Sequence, residues 1–461
     1  MHDIEEPFIG CKEIPRASYH YKFRQYLLAI VCMLQSLCAG SAFSFSSVLA
    51  TSEISFNTTQ YSWIASIPTL SILPMVLTAG WILNWIGRRF ALALTIIITL
   101  ISWTMLFFSQ TYELMFVSRL LSGIYTGLAY PIMLVYLAEI TDPKIRPQCL
   151  TSVPFGCNLG IMLTQLLGSF VHWRTLAMLV CVLPVINMAI LLYIKDSYVW
   201  LLNKNRVDEA KKAFTWFRGT GHTQKSEFLS ILDMEICKIS SVKQKIKQCF
   251  KMSFIKPFLL TSLLFLTSEL SGDGAVIFYT SNIIKTITKN ADAQFYSNLV
   301  LNALRVIATF LSTILFNRFS TRSVLIFSGY SLALSLGNFS LFMYLSRVYP
   351  ENTHYPVVCL VLIIANVMFF GLGVGPGPTV ICGEIYPSVL REIGGALSSF
   401  VLFGTLFVIV KAMPYLFELV HHECIFLAFA FCTFTGISII YYVLPNTKNK
   451  TLTQLDLVYA S

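Results

Sequence analysis

YLAEITDPKIR (136–146) and ICGEIYPSVLR (381–391) are two versions of one motif, and their repetition decides the fold. Each stretch places Glu-Ile before a proline and an arginine seven residues after the glutamate. A second pair, LNWIGRR (83–89) and FNRFSTR (316–322), repeats in the same order. Two motifs that recur in matching places indicate an internal duplication, so we expect two structurally similar halves.

The composition predicts a membrane protein. Of the 461 residues, 56% are hydrophobic and only 12% are charged, whereas soluble proteins carry about 25% charged residues. A membrane core of ~30 Å needs about 20 apolar residues per helical span. Runs of this kind predict twelve transmembrane helices, at 26–48, 61–83, 90–109, 113–137, 150–171, 174–194, 257–280, 294–316, 323–346, 355–381, 392–413 and 424–444.

These spans divide six and six around one long charged segment, which gives an all-α membrane protein with two six-helix bundles. The predicted order is an N-terminal tail, a bundle, a loop with short helices, a second bundle and a C-terminal tail, at 1–25, 26–194, 195–256, 257–444 and 445–461. The loop's NKNRVDEAKKAFTWFRG (203–219) has helix-forming residues with acids near lysines, which predicts a short surface helix.

The net charge of +10 is distributed as an orientation signal. Most of the 33 Lys and Arg lie in the tails and in the loops on one side, so both termini are predicted to be cytoplasmic, in a plasma membrane. The sequon at Asn57 falls in the first outside loop, which predicts a glycoprotein. Because the basic charge orients the helices, the predicted partners are the lipid bilayer and a small-molecule substrate, with no nucleic acid.

No metal, cofactor or enzymatic activity is predicted. The twelve cysteines are scattered without CxxC or zinc spacing, so we interpret them as small apolar residues. Glu269 and Asp273 both lie within the seventh predicted span, and neither a nucleophile nor a set of metal ligands accompanies them. The first 25 residues are polar and the first apolar run has full length, so no cleavable signal peptide is expected.

Several longer stretches surround these motifs: GWILNWIGRR (80–89), RLLSGIYTG (119–127), WLLNKNRVDEAKKAFTWFRG (200–219), SGDGAVIFYT (271–280), GVGPGPTVICGEIYP (373–387) and PNTKNKTL (445–452). Together they resemble the sugar-porter branch of the major facilitator superfamily, specifically its facilitated trehalose and hexose transporters. The resemblance covers nearly the whole chain. It implies the major facilitator fold and facilitative sugar transport, with two bundles that rock about a central site.

The resemblance also implies a conformational gate of charged residues at the cytoplasmic helix ends, which can pair in one state and separate in another. The matching positions are Gly87, Arg88, Arg89, Glu139, Arg146, Glu384 and Arg391. Other positions depart from the family pattern: Asn84, Trp85, the run from Lys195 to Val199, Ser320, Thr321 and Asn446. These departures predict a weaker network than in a typical member.

The family's sugar-binding positions are largely replaced. Ser268 and Glu269 stand where the family has a Gln-Gln pair, Gly274 replaces an Asn, and Thr379 replaces a Trp. Ungapped spacing adds three further replacements, at Pro154, Arg305 and Leu402-Phe403. Because sugar sites need several fixed hydrogen-bonding partners, the scaffold is kept while the sugar site is rebuilt.

Polar stripes on three spans indicate what replaced it. Glu269 and Asp273 lie one turn apart on span 7 if that helix is continuous, and Arg305 is the cation available on span 8. A charge at the bilayer centre costs ~2.5–3.5 kcal/mol, so we expect these three to form a cluster in a central cavity. The predicted cavity residues are Asn158, Gln165, Ser268, Glu269, Asp273, Gly274, Arg305 and Thr379.

Alternatives stay open at this stage. The cluster could be a structural ion pair, could touch substrate, or could carry a proton, although 26–48 lacks the span 1 acid of proton-coupled members. The function predicted first is facilitative transport of a sugar of the trehalose or hexose class. The alternatives are a carrier of another, charged small solute and a non-transporting sensor or vestigial paralogue.

Overall fold

Long helices account for almost all of the structure. The computed structural model describes residues 17–50, 58–219, 226–232, 249–277, 291–349, 354–386 and 390–444. Twelve helical segments in these ranges are long and apolar enough to cross a membrane, and we number them spans 1 to 12. The predicted all-α class and the twelve spans are confirmed.

Every described span begins before its predicted apolar run, because a helix satisfies its own backbone groups on both sides of the membrane boundary. Spans 1 to 6 are Ala17–Ala50, Thr58–Ile86, Arg88–Phe107, Tyr112–Ile140, Arg146–Gly168 and Trp173–Tyr193. Two connector helices follow at Tyr198–Asn203 and Val207–Arg218. Span 7 begins with the helix Met252–Glu269. Spans 8, 9, 11 and 12 are Ala291–Arg318, Thr321–Val348, Arg391–Leu419 and His422–Val443. Span 10 consists of three consecutive segments, His354–Phe369, Phe370–Val374 and Pro376–Ile385.

The two halves meet along two pairs of helices. Within the first half, span 4 packs on spans 2 and 3, and span 1 packs on span 5; within the second, span 9 packs on spans 10 and 12. Span 5 contacts span 8, and span 2 contacts span 11 across the interface. We call the end that bears the connector helices the connector end. The contacts between spans 5 and 8 and between spans 2 and 11 position the cavity described below.

Glycines allow the closest approach between spans 1 and 5. A Cβ atom added at Gly160 would lie 2.1 Å from the carbonyl oxygen of Leu37, and one added at Gly156 would lie 2.3 Å from that of Met33. Small residues at one-turn spacing let transmembrane backbones pack at this distance. The first half is therefore held by backbone contact that no larger side chain permits.

We expect Gly160→Ala to lower the thermal stability of the purified protein by about 1–3 kcal/mol, because the added methyl forces the two backbones apart. Gly337→Ala is the matched control, since a Cβ there meets nothing within 4 Å and the helix gains propensity. Thermal unfolding in detergent compares the two. Equal midpoints for both variants would contradict the packing account.

Span 7 breaks where the cavity lies. Its first helix ends at Glu269, and the chain resumes a helix at Asp273 after a turn at 270–272. Gly272 adopts a φ of +83°, in the left-handed region that favours glycine, and a Cβ there would lie 2.5 Å from the ring of Phe429. The helix is not continuous from Glu269 to Asp273, so the condition for a single helical stripe of these two acids is not met.

Candidate functional site

A cavity of about 170 Å³ lies between the two halves. Spans 1, 4 and 5 line it from the first half, and spans 7, 8, 10 and 11 line it from the second. Six of the eight predicted cavity residues line it: Asn158, Ser268, Glu269, Asp273, Gly274 and Thr379. The enclosed volume suits a small solute.

The other two predicted residues, Arg305 and Gln165, belong to a polar chain beside the cavity. Arg305 Nη2 lies 2.7 Å from Asp273 Oδ1, and the guanidinium is almost fully buried. Its Nη1 lies 3.5 Å from Asn302 Oδ1, and the Asn302 amide donates to Gln165 Oε1. One chain of side chains thus connects spans 7, 8 and 5. The side chain of Asn298, one helical turn before Asn302, lies outside the described residues.

Other hydrogen bonds between described residues also cross between the halves. Asn158 Nδ2 donates to Thr309 Oγ1 at 2.9 Å, and the hydroxyls of Thr151 and Thr313 are 3.0 Å apart. On the other side of the cavity, the hydroxyls of Tyr130 and Thr379 are also 3.0 Å apart. These are single hydrogen bonds, each worth only about 0.5–1.5 kcal/mol.

Glu269 and Asp273 have different partners in the described part of the chain. Among the residues that the structure describes, none donates a hydrogen bond to its carboxylate or forms an ion pair with it. The guanidinium of Arg305 donates to Asp273 through Nη2. Its Nε has no acceptor within the same described ranges, so it makes no hydrogen bond to Glu269. The turn at 270–272 lies between the two acids along the chain, and Asp273 is the one that contacts Arg305.

Most of the cavity wall is apolar. Pro154, Leu402 and Phe403, which replace the family's polar residues, all line it. Sequence reasoning missed the aromatic side chains Phe43 and Phe370. A phenylalanine in an apolar span gives no signal of whether it faces lipid or a cavity. Groups that could bind several sugar hydroxyls are consequently few.

A buried ion pair lies at the connector end. Arg88 contacts Glu139 through two nitrogens, at 2.7 and 3.0 Å, and both side chains are nearly inaccessible. Ser197 donates to the same carboxylate, and the Tyr198 hydroxyl donates to the Glu139 backbone carbonyl at 2.6 Å. The connector segment thus completes the hydrogen bonding of a pair that lies wholly within the first half.

The divergent run at 195–199 also contacts the beginning of span 3. Asp196 Oδ1 accepts backbone N–H groups of Arg88, Arg89 and Ser197 at 3.0, 3.2 and 2.7 Å. Burial raises the pKa of the Asp196 carboxyl, and these N–H groups oppose that rise. The prediction that departures here weaken the network relative to a typical family member stays a prediction. A Cβ at Gly87 (φ +91°) would lie 2.6 Å from Asp196 Oδ2, which explains the glycine.

The remaining gate residues are only partly described. Arg146 is buried and donates to the Thr141 carbonyl at 3.3 Å, and Glu384 is buried near the end of span 10. The side chain of Arg391 lies outside the described residues, as do Asn57 and Asn446. A charge network that crosses the halves therefore stays a prediction. Within the described ranges, no group of three His, Cys, Asp or Glu is placed to hold a metal ion.

Relatives share this chain over nearly its whole length. A facilitated trehalose transporter of Drosophila mojavensis is 26% identical over 96% of the chain, and one of Apis mellifera ligustica is 27% identical over 97%. The chain spans about half of the Drosophila protein, 52%, but 90% of the bee protein.

Solved structures share the fold. The proton:xylose symporter XylE bound to 6-bromo-6-deoxy-D-glucose superimposes with a TM-score of 0.83 at 16% identity, covering 95% of this chain and 100% of that one. The inward-open conformation of XylE from E. coli gives 0.69 at 15% identity, with 94% and 99% covered.

A family model matches nearly the whole chain. The model of the family described as "Sugar (and other) transporter" matches residues 22–459, which includes both halves and the connector. The repeated motifs, the twelve spans and the cavity between two six-helix halves all agree with that match. The chain belongs to the sugar (and other) transporter family.

Proposed function

We propose that the protein is a facilitative transporter of a sugar of the trehalose or hexose class that works by alternating access. The observation that carries the proposal is the position of the cavity: both halves line it, and neither half encloses it alone. Broken spans 7 and 10 meet it, as discontinuous helices do at transporter sites. The trehalose transporters among the relatives support the substrate class.

Two finer parts belong to the same proposal. The protein lies in the plasma membrane, and its connector end, with the basic segment between the halves, faces the cytoplasm. Both termini are therefore on the cytoplasmic side. The chain carries out no catalytic reaction, since its family consists of transporters and the cavity offers no nucleophile with a base. Glycosylation at Asn57 would follow from the same orientation.

Uptake of labelled trehalose and glucose by cells that express the protein tests this proposal. We expect saturable uptake that unlabelled sugar competes away and that continues when the proton gradient is collapsed, because span 1 carries no acid within the predicted run 26–48. Surface labelling normalises each measurement to protein in the membrane. Background uptake with protein at the surface would overturn the sugar assignment, and loss of uptake with the gradient would overturn the facilitative mechanism.

A further inference from the structure

The charges at the central cavity do not balance. Arg305 contributes one positive charge, and Asp273 and Glu269 contribute one negative charge each. No Lys, Arg or His is among the described residues that line the cavity. When both carboxyl groups are ionised, the cavity therefore carries one negative charge that has no partner in the described part of the chain, and that charge is on Glu269.

An ionised carboxylate in apolar surroundings is costly unless a cation or hydrogen-bond donors accompany it. The helix Met252–Glu269 ends at this point, and its carboxyl end adds the partial negative charge of the helix dipole. Asp273, by contrast, begins the next helical segment and contacts Arg305. The field at Glu269 thus attracts a positive group for two independent structural reasons.

An organic cation fits the site better than a metal ion. The helix-end carbonyls that could coordinate a metal are already used: Leu266 O accepts from Leu270 N at 2.8 Å, and Glu269 O accepts from Gly272 N at 3.0 Å. The Ser268 carbonyl accepts from the Ser271 hydroxyl at 2.6 Å. One carboxylate within apolar and aromatic walls is the environment in which a protonated amine on a carbon skeleton binds.

We propose that the cavity takes a substrate that bears a protonated amino group, with Glu269 as its counter-ion: an amino sugar. Hydroxyl groups of the same molecule have Ser268, Thr379 and Tyr130 as neighbours along the cavity. The proposal rests on the proposed function, since it assumes that this cavity is the substrate site. It deepens that function by naming the charge of the substrate.

Ligand-dependent thermal stability of the purified protein tests the assignment without relying on transport. Glucosamine and N-acetylglucosamine differ at the amino group, which is cationic only in the first, and glucose lacks it. At neutral pH we expect glucosamine to stabilise at a concentration about tenfold lower than N-acetylglucosamine or glucose, the gain typical of a charge-assisted hydrogen bond. In Glu269→Gln that tenfold preference should fall to nearly none.

Glu423→Gln is the matched control, because Glu423 is a buried glutamate that pairs with Arg347 at 2.8 Å and does not line the cavity. It should keep the preference for glucosamine. Equal stabilisation by the three sugars, or stabilisation by sodium chloride over choline chloride with no effect of glucosamine, would overturn the proposal. If Glu269→Gln does not fold, the comparison of the three sugars on the unmutated protein still decides.

Failure of this inference and failure of the proposed function give different results. If glucose uptake is saturable but glucosamine does not bind in preference to glucose, the proposed sugar transport is retained. The proposed role of Glu269 as a counter-ion is then rejected. A glucosamine preference in binding, with no uptake of any sugar, would support the cation site in a protein that does not transport these sugars.

Discussion

Arg305→Gln destabilises the protein by about 3–5 kcal/mol, the cost of removing one partner from a buried ion pair. The substitution removes the 2.7 Å contact with Asp273 and leaves two carboxylates near each other in an apolar cavity. Denaturation midpoints in detergent, together with the amount that reaches the cell surface, measure this effect. The effect is large because the cavity would then hold two uncompensated negative charges.

The double variant Arg305→Gln/Asp273→Asn is its control. Removing both charges leaves two neutral side chains that can hydrogen-bond each other, so most of the lost stability should return. A single variant as stable as the unmutated protein, or a double variant no better than the single, would show that the pair does not hold spans 7 and 8 together.

Arg88→Gln should destabilise the connector end by a similar amount, about 3–5 kcal/mol, because Glu139 then remains buried without its cation. Both side chains of this pair are at most 4% exposed. The same measurement of the denaturation midpoint applies. We expect the loss to appear as unfolding of the first half, since Ser197 and Tyr198 hold the connector segment on the same glutamate.

Arg206→Gln provides the matched control on the surface. Arg206 pairs with Glu209 at 2.6 Å, but both side chains are about half exposed, and such pairs contribute about 0–1 kcal/mol. Equal losses for Arg88→Gln and Arg206→Gln would mean that the ion pair with Glu139 contributes no more than surface charge does.

Much of the fold is readable from the sequence because its signals are long. Apolar runs locate the twelve spans, and the repeated motifs divide them into halves. That Arg305 contacts an acid of span 7 also follows from sequence, although which of the two acids does not, since a buried cation needs an anion and span 7 offers two.

The rest depends on geometry that no periodicity encodes. Gly272 signals a weakened helix, but not that its φ is positive, that one helix ends at Glu269 or that the two acids have different partners. The docking of Asp196 and Ser197 on span 3 and span 4 residues joins positions more than 50 residues apart. Aromatic residues such as Phe43 and Phe370 look alike in sequence whether they face lipid or a cavity.

Alternating access through the central cavity requires the halves to part at the connector end, and cross-linking across the interface tests this requirement most directly. The hydroxyls of Thr151 and Thr313 are 3.0 Å apart on opposite halves, so cysteines there can form a disulfide. Uptake by Thr151→Cys/Thr313→Cys should fall to background on mild oxidation and return on reduction, while each single variant is unaffected. Saturable uptake that persists in the fully cross-linked double variant would contradict alternating access through this cavity.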